Sequence, residues 1–289
     1  MACRDCFEAM PQGRSWTEAT RLPTPRSSAA ISVGPDGRIY LAAGRGVGHV
    51  YRTELERFDV ETGSWASLAP LPTSRMAPGA EWVDGILYVF GGAAGDGQSR
   101  ALGHAYVPSV NAWVAMSPML RGRSFPVTGV VGSRIYALGG QVDGGGLTPT
   151  AEYFETTTGT WHWAQSGAPT SEMNAGVVLG SKIYVFGRPA TRIYDAEIDS
   201  WSDASAVPES MNMRSAVTMD GLIYLIGGQT HTGNASRRVD VYAPHCDAWT
   251  TAPSLAVGRR GPNAAVIDGH IYTFGGYTGS TYPDLVEVF

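Results

Sequence analysis

Six copies of one apolar strand, six tryptophans at matching intervals and a turn dipeptide recurring between strands predict an all-β chain. The expected fold is a six-bladed propeller with four antiparallel strands per blade. The strand copies are centred on Tyr40, Tyr88, Tyr136, Tyr184, Tyr224 and Tyr272; the tryptophans are Trp16, Trp65, Trp113, Trp161, Trp201 and Trp249. Both series advance by 48 or 49 residues, apart from one step of 40. A repeat that fills most of 289 residues argues for one large unit rather than two ordinary domains.

Each period yields four strands in turn. The first is a run of small residues, such as Ala80-Glu81-Trp82-Val83 or Ala264-Ala265-Val266-Ile267. Small side chains suit the inner strand, where blades crowd toward an axis. Asp84-Gly85, Asp220-Gly221 and Asp268-Gly269 then favour two-residue hairpin turns. The second strand is the tyrosine stretch, Leu87-Tyr88-Val89-Phe90-Gly91-Gly92 in its cleanest copy. The third alternates as a half-buried strand should, as in Leu55-Glu56-Arg57-Phe58 or Val239-Asp240-Val241-Tyr242. The fourth carries the tryptophan, seven residues after the third-strand aromatic, and ends in proline-rich punctuation such as Pro70-Leu71-Pro72.

The glycine pair after an apolar strand, then an aromatic and a tryptophan seven residues on, at a period near 48, resembles the kelch repeat. The resemblance runs from about Trp16 to Phe289, with Ala43 replacing one first glycine and Arg188 one second glycine. A kelch-type propeller is therefore expected over residues 14–289, after an N-terminal extension, 1–13. The blades are expected at about 26–67, 75–115, 123–163, 171–203, 211–251 and 259–289 plus 14–18. The chain stops after a third strand and opens with an unpartnered fourth strand around Trp16. Pairing the two would complete the last blade and remove an exposed edge.

Differences between the copies point to function. The eight-residue shortfall of blade four falls between its second and third strands, leaving Gly187-Arg188-Pro189-Ala190-Thr191 to turn tightly. The loops between blades and those between second and third strands share one face, so that face should carry a rim with a notch. Aligned on the following tyrosine, the between-blade loops offer Arg26, Arg75, Arg123, Ser171, Met211 and Arg259, with Arg214 just beyond Met211. Glu172, Asn174, Arg188, His49, His231 and Tyr277 complete the expected ligand-binding face. Kelch domains that recognise acidic peptides on this face suggest an arginine mouth, because guanidinium forks suit carboxylates. The competing reading is that these arginines belong to the repeat and bond carbonyls of neighbouring blades.

The primary functional expectation is a binding module for a protein, an acidic peptide or a small acidic molecule. The alternative is a small-molecule isomerase, cyclase or lyase with its site at the channel mouth. No local catalytic motif is present, and neither the copper nor the iron ligand set of known kelch-type enzymes appears; no cofactor is expected. A net charge of −5 and a pI of about 5.7 argue against nucleic acid. No apolar run is long enough for a membrane span, and a monomer is expected. Lys182 is the only lysine among 21 basic residues, which is read first as a bias of base composition. Three cysteines, Cys3, Cys6 and Cys246, do not suggest a disulfide framework, so a reducing cytoplasm is expected. Cys3-Arg-Asp-Cys6 has the spacing of a zinc knuckle but supplies two ligands; His245-Cys246 would have to approach it. Ordinary thiols are the preferred reading there, and no metal is expected.

Overall fold

The computed structural model describes residues 5–170, 175–187 and 190–289. Six four-stranded antiparallel sheets form a ring. In blade one the strands are Ala30–Val33, Ile39–Ala42, Leu55–Asp59 and Ser64–Leu68; in blade two they are Gly79–Val83, Ile86–Phe90, Gly103–Val107 and Ala112–Met116. Blades three, four and five repeat the pattern, with inner strands Val127–Val131, Ala175–Leu179 and Ser215–Met219. No α-helix occurs among the described residues, and no helix is long and apolar enough to cross a membrane.

The core is divided among the six gaps between blades. Between blades one and two, for example, Tyr40, Ala42 and Leu55 meet Ala80, Leu87, Val89 and Tyr106. The wedge between sheets widens outward, so aromatics fill it where small inner-strand residues cannot. Phe58 packs on Trp65 with ring centroids 4.8 Å apart, and Tyr242 packs on Trp249 at 4.7 Å. Most of the outer indoles also fasten neighbouring blades. Trp113 Nε1 donates to the Ala69 carbonyl at 2.7 Å, and Trp161 Nε1 to that of Ser117 at 3.0 Å.

The termini close the ring. Blade six takes Asn263–Ile267, His270–Phe274 and Leu285–Val288 from the end of the chain and Thr17–Arg21 from its beginning. Thr17 lies opposite Val288 and Arg21 opposite Leu285. The closing strand thus starts at Thr17 rather than spanning 14–18. Trp16 nevertheless keeps the role of the other tryptophans: its ring lies 5.2 Å from that of Phe289 and its Nε1 donates to the Pro253 carbonyl at 2.8 Å.

The cysteines correct the expectation from their number. Cys6 and Cys246 form a disulfide across a sequence separation of 240. Cys6 is buried against Phe7, Met10, Trp16 and the Tyr224–Phe289 core. Cys246 sits in the turn between the third and fourth strands of blade five, Val239–Ala243 and Ala248–Ala252. This bond removes cysteine usage as support for a reducing compartment. Cys3 lies outside the described residues.

Candidate functional site

Inner strands surround an axial channel of about 450 Å³, lined by Ala30, Ala80, Thr128, Gly176, Ala216 and Ala264 among others. Thr128, Ser215 and Arg214 line it beside these small residues, and one carboxylate enters it from an inner strand. Glu81 occupies the position opposite the repeat tyrosine, where the other blades carry Ser32, Gly129, Val177, Val217 and Ala265. Thr128 Oγ1 donates to Glu81 Oε1 at 2.7 Å. Desolvation inside the ring pushes the Glu81 carboxyl up to about 7, against the pull of that hydrogen bond. Sequence reasoning missed this residue, although its place in the repeat alignment was the available signal.

At the loop face the channel narrows to a throat. Ser28, Ala77, Phe125 and Met213 all have positive φ, between 49° and 55°, as does Gly261. Their backbones form a chain of hydrogen bonds from blade to blade: Gly261 N to Met213 O, Ser28 N to Gly261 O, Ala77 N to Ser28 O and Phe125 N to Ala77 O, at 2.8–3.0 Å. Four non-glycine residues in the left-handed region mark a strained, over-determined rim.

The predicted arginines lie two residues before this rim, in blades one, two, three and six, but beneath the surface. Arg26, Arg123 and Arg259 have no exposure; Arg75 and Arg214 have 2% and 9%. Arg26 pairs with Glu56 at 2.5 Å, Arg123 with Glu152 at 2.6 Å and Arg214 with Asp240 at 2.7 Å; Arg259 pairs with Glu287. The carboxylates occupy one register position, two residues before the third-strand aromatic. Arg75 meets His104 there instead, its Nη2 donating to Nδ1 at 3.1 Å, and also donates to Thr73 Oγ1. Burial lowers the pKa of all five guanidinium groups, that of Arg75 to about 10. The guanidinium groups also donate to strand-end carbonyls, Arg123 to those of Gly139 and Thr150 and Arg259 to those of Gly275 and Leu285. An exposed arginine mouth is therefore replaced by buried braces that hold the throat, because each guanidinium finds a carboxylate, imidazole or carbonyl within its own blade. Glu172, Asn174 and Arg188 lie outside the described residues. In blade four the third-strand position holds Arg192, which donates to the Gly167 carbonyl and pairs with Asp203.

His49 and Tyr277 do come together, at the seam where blade six meets blade one. His49 Nδ1 and the Tyr282 hydroxyl share a hydrogen bond of 2.7 Å. The rings of Tyr277 and Tyr282 are 4.8 Å apart, and His49 lies edge-on to both. Arg260 stands over the Tyr277 ring at 5.4 Å. Burial raises the Tyr282 pKa, and the nearby charge of Arg45 pulls it back. Among the described residues, neither Arg45 nor Arg260 has a carboxylate in ion-pair contact. Val47 and Val50 flank the cluster, exposed by 62% and 56%. His231 is exposed on the blade-five loop of the same face.

Comparison with known proteins supplies a family. Residues 39–286 match the family described as the Attractin/LZTR1 beta-propeller. An F-box/kelch-repeat protein of Arabidopsis thaliana is 24% identical over 238 residues, which are 79% of this chain and 62% of that protein. Kelch-like protein 15 of Homo sapiens is 25% identical over 253 residues, covering 82% of this chain and 36% of the relative. Kelch-like protein 35 of Mus musculus is 24% identical over 192 residues, or 66% and 25% of the two chains. The chain thus spans less than two thirds of the length of each of these relatives.

Proposed function

Because this chain belongs to the Attractin/LZTR1 beta-propeller family of kelch-type propellers, we propose that it is a protein-interaction module that binds its partner through the loop face at the seam of blades six and one. The observation that carries this reading is the Tyr277–Tyr282–His49 cluster with Arg45, Arg260 and two exposed valines around it. Tyrosine and arginine with an apolar margin form the composition in which interface energy concentrates, since large rings bury area at little entropic cost. Two arginines that make no carboxylate contact among the described residues favour an acidic segment of the partner, which would neutralise them bidentately. The buried arginine braces hold the loops in place rather than touching the ligand.

The test is site-specific photocrosslinking in an extract of the source cells. A crosslinkable residue at His49 should capture a discrete partner; one at Ile198, exposed on the turn face of blade four, should not. Tyr277→Ala should abolish capture at His49. Equal capture at both positions, or capture indifferent to Tyr277→Ala, would overturn the proposal.

A further inference from the structure

On the face opposite the interaction loops, the N-terminal segment brings three metal-binding side chains together. Cys6 Sγ, Cys246 Sγ and an imidazole nitrogen of His245 all lie within 4.8 Å of one another. Their scaffold is well fixed. Cys6 is anchored in the core by Phe7, Met10 and Trp16, and Arg14 Nη1 donates to the Gly269 carbonyl at 2.7 Å. The turn bearing His245 and Cys246 is held by Asp247, whose carboxylate accepts from Tyr242 Oη at 2.6 Å and from the Ser205 amide at 2.8 Å. The two sulfurs, bonded to each other, thus sit on supports that are each tied into the fold, and His245 is carried beside them by the same turn.

We propose that this group is a metal site when its disulfide is reduced: Cys6 and Cys246 as thiolates, with His245, bind one thiophilic d10 ion such as Zn2+. Two thiolates and an imidazole are donors that such ions prefer, and three protein ligands leave one position for water. A dithiol reductant supplies two electrons and two protons to the Cys6–Cys246 bond and is itself converted to a disulfide. Zn2+ then displaces the two thiol protons, which pass to solvent, while neutral His245 adds through a nitrogen lone pair. Disulfide and metal are mutually exclusive occupants of one place, and either would tie the N-terminal segment to blade five.

The experiment titrates the full chain, reduced under anaerobic conditions, with Zn2+ by calorimetry and with Co2+ by absorption. One equivalent should bind, with proton release near two per ion, and Co2+ should produce the near-ultraviolet charge-transfer band of thiolate ligation. The oxidised chain should bind neither ion at this site. Cys246→Ser should abolish the cobalt band. His245→Gln should weaken Zn2+ by at least about tenfold, the lower end of what even outer-shell changes cost. It should leave the melting temperature of the oxidised chain unchanged, because His245 is exposed. The proposal fails if the reduced parent binds no Zn2+, if the oxidised chain binds it equally well, or if His245→Gln binds as tightly as the parent.

Discussion

The carbonyl oxygen of Arg123 would lie 2.6 Å from a Cβ placed on Gly91. The same carbonyl accepts the Gly92 amide at 2.8 Å. Arg26 stands in this relation to Gly275 and Gly276, its carbonyl 2.2 Å from the added carbon. The glycine pair of one blade and the arginine opening the next are thus one joint. The first glycine leaves room for the arginine backbone, and the guanidinium then braces its own blade.

Gly91→Ala should therefore cost more than a positive φ alone. Gly85, at φ +76°, has nothing within 4 Å of an added Cβ and serves as the reference; Gly91 has φ +69° and the Arg123 carbonyl besides. A left-handed alanine costs about 1–2 kcal/mol, so Gly85→Ala should lose about that much. Gly91→Ala should lose at least about 1 kcal/mol more, since backbone must move. Equal losses in chemical denaturation would mean that the joint yields freely.

The ring itself was legible because periodic strands, turns and indoles agree at every level. The arginines were half legible. Their recurrence at one alignment position indicated a common role, and Glu56, Glu152, Asp240 and Glu287 recur two residues before the third-strand aromatic. Reading the two series together predicts internal pairs rather than a ligand mouth. Closure through the termini was legible too, but not which side chains it would join. His49 and Tyr282 are separated by 233 residues and Cys6 and Cys246 by 240, and only closure of the ring makes them neighbours.

Breaking one brace should reveal its structural weight. Arg123→Met leaves Glu152 buried without its partner, and a buried pair broken on one side costs about 3–5 kcal/mol. Arg123→Met combined with Glu152→Leu removes both charges and should recover most of that loss. A thermodynamic cycle of the two single variants and the double variant checks this. Additive losses would show that the pair does not act as a unit.

Glu81 should impose a pH dependence of its own on stability. Its carboxyl is raised from the ordinary 4.5 to about 7, so the folded chain retains a proton that the unfolded chain has released. Stability from this group therefore falls as pH rises from about 4.5 to about 7 and levels off above it. The full drop is about 3 kcal/mol at most, less to the extent that water in the channel screens the charge. Glu81→Gln should match the parent near pH 4 and exceed its stability near pH 8. Parallel stability curves across that range would contradict the desolvated carboxyl.

Closure through the N-terminal strand supplies the last expectation. Trp16 covers Phe289 and bonds the Pro253 carbonyl, Thr17–Arg21 pairs with Leu285–Val288, and Cys6 is bonded to Cys246. Trp16→Ala removes a half-buried indole and its hydrogen bond, a loss of about 3 kcal/mol. Reducing the disulfide opens a far longer covalent loop, whose chain-entropy contribution is about 4–5 kcal/mol for loops of 100 residues or more. The strand pairing should nevertheless hold the reduced ring closed, so reduction alone should lower the melting temperature without loss of the β signal. Deleting residues 1–20 removes disulfide, indole and strand together and leaves Leu285–Val288 as an open edge. That variant should melt well below the reduced parent and self-associate on heating. If it instead melts with the reduced parent, the disulfide rather than the strand pairing is what keeps the ring shut.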